Sequence, residues 1–291
     1  MKLLLQKLAR AWRRRWWRPD PAMLAAYEGM RAMVVVTGGS EGIGYQLARQ
    51  FAAAGNDLVL VARRPGPLDA AAAAIRAEFK ADAIAVAVDI TSPGAVAVID
   101  SALSSRGAYC DVLVNSAGIG LAGPFHQQRE DELLRLVDLN VRALTHLTHH
   151  YLAGMRIRGR GGVLSVASLG GYAPGPYQAA YYASKAYVIS LSEAIAVETS
   201  GEGVRVCALA PGPVNTAFHE RMGAESAFYR YLVPPASAES TARAGYRGFT
   251  LGLRVLVPGL FNPLLALALR ILPHRIVIPI VGWLLKPRGG G

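Results

Sequence analysis

The sequence predicts an α/β protein built on one doubly wound parallel sheet of about seven strands, with helices on both faces. Three observations lead there. Short apolar runs alternate with longer alanine-rich or amphipathic stretches from Arg31 to Pro258. Those runs are apolar at successive positions rather than at every second one, as in strands covered on both faces. The first run opens into a glycine-rich turn, Thr37-Gly-Gly-Ser-Glu-Gly-Ile-Gly44, that leads into a helix-forming stretch.

The elements follow in order. MVVVT (33–37) is the first strand, and the helix after the glycine turn runs from about Gly42 to Ala54. DLVLVA (57–62) is the second strand, followed by an alanine-rich helix over 67–80. AIAVAVD (83–89) is the third, and Thr91-Ser92-Pro93 starts the helix behind it. DVLVNSAG (111–118) is the fourth, with a helix near 129–155. GVLSVAS (162–168) is the fifth, with a helix near 179–200. VRVCALAPG (204–212) is the sixth, the segment 214–250 reads as a loop, and RVLVPG (254–259) is the seventh. No boundary interrupts 31–258, which is one domain. A basic segment, 1–30, precedes it and an apolar extension, 259–291, follows it.

Composition narrows the function. Of 291 residues, 52% are hydrophobic, enough to fill a sizeable core. The net charge of +11 invites a nucleic-acid reading, but seven basic residues and no acid lie in 1–18, so the remainder carries only +4. No basic stripe interleaved with aromatics and no nucleic-acid-binding signature occurs elsewhere, so no nucleic-acid partner is expected. Residues 1–18 read as an amphipathic helix with Leu5, Leu8, Trp12 and Trp16 on one face, suited to an anionic membrane surface; a disordered basic tail is the alternative. No apolar core and cleavage site of a signal peptide follow it. Cys110 and Cys207 border or sit in apolar runs and read as buried thiols of a reducing compartment, the cytoplasm, with peripheral membrane contact as the variant. The tail is apolar but too interrupted by Arg and Pro to span a bilayer, and reads as packed helices or an apolar cap, with a surface that touches lipid or an oily substrate as the alternative.

Glycines at 38, 42 and 44 let the backbone turn and approach a ligand, and the helix that follows offers free N–H groups and a positive dipole end. Behind the first strand of an alternating chain, this is a pyrophosphate site of the Rossmann-like kind. The second strand ends Val61-Ala62-Arg63-Arg64. An acidic residue there would favour NAD(H); two guanidiniums suit a 2′-phosphate, so NADP(H) is preferred and NAD(H) is the alternative. Glu41, in the glycine loop, is the contrary detail.

On these residues the chain resembles the short-chain dehydrogenase/reductase family across 31–219. Thr37-Gly38-Gly39-Ser40 through Gly42-Ile43-Gly44 resembles the family's glycine motif. Asp89, followed by Ile90, resembles its adenine contact. Asn115-Ser116-Ala117-Gly118 is similar to the family's Asn-Asn-Ala-Gly, with serine as a departure. Asn140 resembles its catalytic asparagine, and Ser168 lies 13 residues before Tyr181, the family's spacing. Pro211-Gly212-Pro-Val214-Asn-Thr216 resembles the segment that closes over the nicotinamide. Tyr181, not Tyr182, matches the family tyrosine, because only Tyr181 stands four residues before Lys185 and shares its helix face.

The resemblance implies NAD(P)-dependent interconversion of carbonyl and alcohol. A tyrosine with a reference pKa of about 10 needs help to exchange a proton near neutrality, and a Lys185 ammonium plus an oxidised nicotinamide would give it. Tyr181 is expected as general acid or base, Ser168 as donor to the carbonyl oxygen, and Lys185 as the group that tunes Tyr181 and holds the ribose. Asn140 is expected to hold a water. Tyr172, Pro174, Pro176, Tyr177, Phe218 and Phe228 suggest a hydrophobic substrate. The family also implies a homodimer or homotetramer through the helices near 129–155 and 179–200. His146, His149 and His150 lack the spacing of a zinc site, so no metal is expected. No Gly-x-Ser-x-Gly elbow of a serine hydrolase occurs. The competing reading is a membrane-associated dinucleotide-binding scaffold or sensor with little turnover.

Overall fold

The computed structural model of the chain describes residues 21–223 and 234–286. Seven parallel strands form its centre, in the order β3-β2-β1-β4-β5-β6-β9. They are β1 (Arg31–Thr37), β2 (Asp57–Ala62), β3 (Ala83–Ala87), β4 (Ala108–Asn115), β5 (Gly161–Val166), β6 (Val204–Leu209) and β9 (Val255–Leu256). Two further two-residue strands, β7 (Val214–Asn215) and β8 (Ala236–Ser237), pair with each other. The helices are α1 (Pro21–Ala25), α2 (Gly42–Ala53), α3 (Pro65–Phe79), α4 (Ala95–Ser104), α5 (Glu130–Val137), α6 (Leu144–Arg158), α7 (Ala179–Glu198), α8 (Phe218–Arg221), α9 (Ala238–Thr250), α10 (Asn262–Ile271) and α11 (His274–Leu285).

The unbroken apolar runs become strands because both faces of each are buried. Val34, Val36, Leu58 and Leu60 pack against Leu47 and Phe51 of α2, Leu68 and Ile75 of α3, and Phe249 of α9. Their neighbours in sequence, Met33, Val35, Val59 and Val61, point to the other face and meet Ile99 of α4 and Leu147 and Met155 of α6. Alternation of side chains along a strand turns one apolar run into two cores. Each fully buried Val or Leu contributes roughly 1.5–3 kcal/mol.

Several boundaries differ from the sequence reading. Strands β4, β5 and β6 stop at Asn115, Val166 and Leu209, short of the ends of their apolar runs. The residues beyond leave the sheet and line the cleft described below. Helix α4 begins at Ala95 rather than at Thr91. The Asp89 carboxylate accepts from the Thr91 N–H and hydroxyl and turns the chain first, and Gly94 (φ 83°) then sets the helix entry. The stretch 129–155 is interrupted by a π-turn, Asp138–Ala143, between α5 and α6.

The largest correction is 214–250, which is not a loop throughout. It holds β7, α8, β8 and the 13-residue α9. Ser237 caps α9 by accepting from the Ser240 N–H at 3.0 Å. Apart from Tyr246 and Phe249, the helix buries only small residues, so its packing face is not announced by an apolar stripe. A Cβ on Gly245 would lie 2.6 Å from Leu209, and one on Gly248 2.8 Å from Leu256. The amphipathic reading of 1–18 lies outside the described residues.

Candidate active site

The sheet order reverses direction between β1 and β4, and a cavity of about 740 Å³ opens beyond the carboxyl ends of those strands. Its lining includes Gly38, Ser40, Gly42, Ile43, Gly44, Ala117, Gly118, Ser168, Tyr181, Lys185, Pro211, Gly212, Val214 and Thr216. Arg63, Arg64, Asp89, Ile90, Asn115 and Asn140 do not line it, and of these Arg64 pairs with the lining residue Glu41.

The glycine loop is shaped by close backbone approach. Gly38 adopts φ +66°, and its missing Cβ would sit 2.9 Å from the Ala117 nitrogen. A Cβ on Gly44 would fall 2.2 Å from the Gly38 carbonyl oxygen, so any side chain there would push α2 off β1. Thr37 pins the loop to the end of β4: its hydroxyl accepts from the Ser116 and Ala117 N–H groups and donates to the Val114 carbonyl. Glu41, at the N-cap of α2, makes no side-chain cap bond. The first-turn N–H groups of α2 therefore face the cavity uncapped, beside a surface bared to the backbone by three glycines. These residues fit the pyrophosphate of a dinucleotide.

Asn115 is buried, and its amide donates to Thr148 Oγ1 at 3.0 Å. Its Oδ1 is buried with no hydrogen-bond partner. Ser168 follows β5 by two residues and opens a 3₁₀ turn, Leu169–Tyr172, its Oγ accepting from the Gly170 N–H at 3.1 Å. Thirteen residues on, α7 presents Tyr181 and Lys185 one turn apart on the same face. The Lys185 ammonium lies 5.7 Å from the centre of the Tyr181 ring and donates to the Val166 carbonyl at 2.8 Å. Burial pushes Lys185 down to about 8.

Asn140 sits on the π-turn, a form of helix distortion that often marks functional positions. Its amide donates to the Ile119 carbonyl at 2.8 Å and to Ser184 Oγ at 3.0 Å, and its Oδ1 accepts from the Ile119 N–H. It ties the chain beyond β4 to α7, with one Oδ1 lone pair left for a water. Tyr182 also lines the cavity but leaves the helix in another direction, with its ring against the backbone of Gly170 and Gly175, where a Cβ would come within 2.9 and 2.3 Å of it. It packs with Val277 and Val281.

Beyond the end of β2, Arg64 reaches Glu41 at 3.2 Å and Arg63 lies 3.9 Å from Asp89. Arg221 of α8 also donates to Glu41 through both terminal guanidinium nitrogens and is the main reason that this carboxylate is held below the usual range. Three guanidiniums thus face two carboxylates, and Glu41 is neutralised from both sides. Arg221 was missed in the sequence reading because nothing in a 180-residue separation signals the pair.

The apolar wall also differs from expectation. Phe218 lines the cavity, with its ring 5.5 Å from that of Tyr181, but Tyr172, Pro174, Pro176 and Tyr177 do not line it. Phe228 lies outside the described residues. A large aliphatic part of the wall comes from the extension: Leu265, Leu269, Val277, Ile280 and Val281 of α10 and α11 lie over the cleft. Asn262, donating to the Pro258 carbonyl at 2.7 Å, anchors α10 beside Gly212 and Gly259. Among the described residues no helix is long and apolar enough to cross a membrane. His150 is engaged by Asp100 at 2.8 Å.

Comparison with known proteins agrees with this arrangement. A short chain dehydrogenase of Pseudocercospora fijiensis is 39% identical over 184 residues, 62% of this chain and 59% of that one. A very-long-chain 3-oxoacyl-CoA reductase of Meyerozyma guilliermondii is 32% identical over 200 residues, 65% of this chain and 59% of the other. The match therefore spans about three fifths of the length of these relatives. A solved short-chain dehydrogenase from Sphingobium yanoikuyae in complex with NADPH superposes with a TM-score of 0.71 at 33% identity, covering 79% of this chain and 89% of that one. The family model for short chain dehydrogenases matches residues 32–227, which hold strands β1 to β6, the glycine loop, Ser168, Tyr181 and Lys185, and the chain belongs to that family.

Proposed function

We propose that the protein is a nicotinamide-dinucleotide-dependent oxidoreductase that interconverts a hydrophobic ketone or aldehyde and its alcohol, with NADP(H) preferred and Tyr181 exchanging the proton at oxygen. The carrying observation is the convergence on one cleft of an uncapped glycine-loop helix, Ser168, and the Tyr181–Lys185 pair. A bound nicotinamide supplies or accepts the hydride. Tyr181 gives its hydroxyl proton to the oxygen during reduction and takes it back during oxidation. Ser168 already accepts from Gly170, which leaves its own hydrogen for the same oxygen as charge develops there. Lys185, held by Val166, presents positive charge beside the Tyr181 ring and favours the phenolate. Asn140 positions α7 and the floor of the cleft through Ile119 and Ser184.

The preference for NADP(H) rests on Arg63 and Arg64 at the end of β2, and on the neutralisation of Glu41 by Arg64 and Arg221. A hydrophobic substrate rests on the aliphatic wall of α10 and α11. Exposed Leu134 and Val137 on α5 and Val197 on α7 support pairing of copies through those helices, as homodimer or homotetramer. The buried, separate thiols of Cys110 and Cys207 accord with the cytoplasm. Parallel fluorescence titrations with NADPH and NADH test the reading. NADPH should bind at least about tenfold more tightly, as expected for a charged 2′-phosphate between guanidiniums. Equal binding would remove the 2′-phosphate reading, and binding of neither would remove the oxidoreductase reading.

A further inference from the structure

The α10–α11 hairpin has two faces. Its inner face closes the cavity through Leu269, Val277 and Val281. Its outer face carries Leu264, Leu267, Ile271 and Trp283, which are 54–69% exposed and do not line the cavity. Leu260 and Phe261, just before α10, are 82% and 73% exposed. Leu264, Leu267 and Ile271 recur at helical spacing and form one stripe of α10, and an exposed apolar surface of this kind marks an interaction site. Ile276 and Ile280 belong to both faces: each is more than half exposed, and each lines the cavity. The mouth of the cleft therefore opens onto the apolar patch.

Charge selects the occupant. Residues 251–286 contain Arg254, Arg270, His274, Arg275 and Lys286, and no Asp or Glu. The carboxylate nearest a cation of the hairpin, among the described ion pairs, is Glu193 of α7, 4.0 Å from Arg270. A two-fold contact would set this patch against its own copy and bring cations onto cations. An anionic bilayer satisfies both the apolar face and the basic rim, and helices of 10 and 12 residues lie in its surface rather than cross it. We infer that the outer face of α10–α11 docks on an anionic lipid bilayer, with Arg270, Arg275 and Lys286 among the phosphates. A lipophilic carbonyl substrate then enters the cleft from the bilayer between Ile276 and Ile280. The docking stands on the hairpin alone; the delivery of substrate rests on the oxidoreductase reading.

The test uses the full chain and vesicles of phosphatidylcholine with or without phosphatidylglycerol. The wild-type chain should float with the anionic vesicles and far less with the neutral ones. The double variant Leu264→Glu/Ile271→Glu should partition at least about tenfold less, because two carboxylates are driven toward the acyl region. The charge variant Arg275→Glu/Lys286→Glu should lose the dependence on phosphatidylglycerol. With Leu264→Glu/Ile271→Glu, turnover of a short water-soluble ketone should stay within about twofold of wild type, and turnover of a long-chain ketone carried in vesicles should fall at least about fivefold. Vesicle binding by that variant equal to wild type overturns the docking, since the contact would then lie with another part of the chain. Absence of wild-type binding overturns it too. A halved mass of the same variant in light scattering assigns the face to a second copy and overturns it as well. A wild-type chain that floats but reduces no carbonyl overturns the delivery half together with the proposed reaction, and leaves the docking supported.

Discussion

Burial pushes the Lys185 ammonium down to about 8, while its ordinary value is 10.5. Between those two values the unfolded chain binds more protons than the folded one. This group therefore makes stability rise with pH across that window, and below it the folded chain bears the full cost of an interred charge. Replacing Lys185 by Met removes that cost and also the bond to the Val166 carbonyl. The net gain at pH 7 should be about 1–2 kcal/mol, and by about pH 10.5 it should turn into a loss of about 1 kcal/mol, where only the missing bond to Val166 remains. Urea unfolding of both proteins across that range reads it directly, and a Met variant less stable at neutral pH would show the charge to be well solvated. The same variant should lose turnover, the trade expected where a site is built at the expense of the fold. Tyr181 and Tyr182 separate in the same way. Tyr181→Phe should cost roughly 10²–10⁴-fold in kcat with NADPH affinity unchanged. Tyr182→Phe keeps the ring that packs on Gly170 and Gly175 and should stay within about threefold of wild type. A comparable loss from both would remove Tyr181 from its assigned role.

At the scale of elements, α8 is tied to the start of α2 by Arg221 and Glu41. An exposed ion pair of this kind adds about 0–1 kcal/mol to stability, so Arg221→Ala should barely change Tm. Its effect belongs to binding. Glu41 sits where phosphates approach, and with Arg221 gone only Arg64 opposes its charge. NADPH affinity should fall about fivefold and recover in Arg221→Ala/Glu41→Gln, because a like charge near the phosphates is worth on the order of 1 kcal/mol. A double-mutant cycle by fluorescence titration tests this, and additive losses would break the link. Pairs between residues far apart in the sequence, like this one, are not announced by local pattern. Strands with both faces buried announce themselves as apolar runs, and Ser168, Tyr181 and Lys185 were readable because strand end and helix pitch fix their relation. Arg221 and Asn262 depend on which distant elements meet, and α9 hides its packing face in Ala, Gly and Thr. The ends of β4, β5 and β6 are not marked because the chain continues in small residues, Ser116-Ala117-Gly118, Ala167-Ser168 and Ala210-Pro211-Gly212, where it leaves the sheet.

For the molecule as a whole, cohesion is uneven. Strands β1 and β4 lie mid-sheet with neighbours on both sides, and Met33, Val35, Val36 and Leu113 are wholly buried. Helix α10 buries only Ala266, and α11 buries Val277, Val281 and Leu285. Pro279 inside α11 removes one backbone donor from the helix. Few buried apolar contacts and many solvent-facing backbone bonds characterise segments that open locally before the fold as a whole unfolds. Amides of α10 and α11 should therefore exchange at least about 100-fold faster than those of β1 and β4, a gap of roughly 3 kcal/mol in opening free energy. The inner face of the hairpin forms the wall of the cleft, so a bound hydrophobic ligand buries it further and should slow exchange in α10 and α11 while leaving β1 and β4 unchanged. Hydrogen exchange read by mass spectrometry, with and without NADPH and a long-chain alcohol, measures both. Equal protection of hairpin and sheet would mean that the extension folds as one unit with the core, and the wall of the cleft would then be a fixed surface rather than one that opens to admit its substrate.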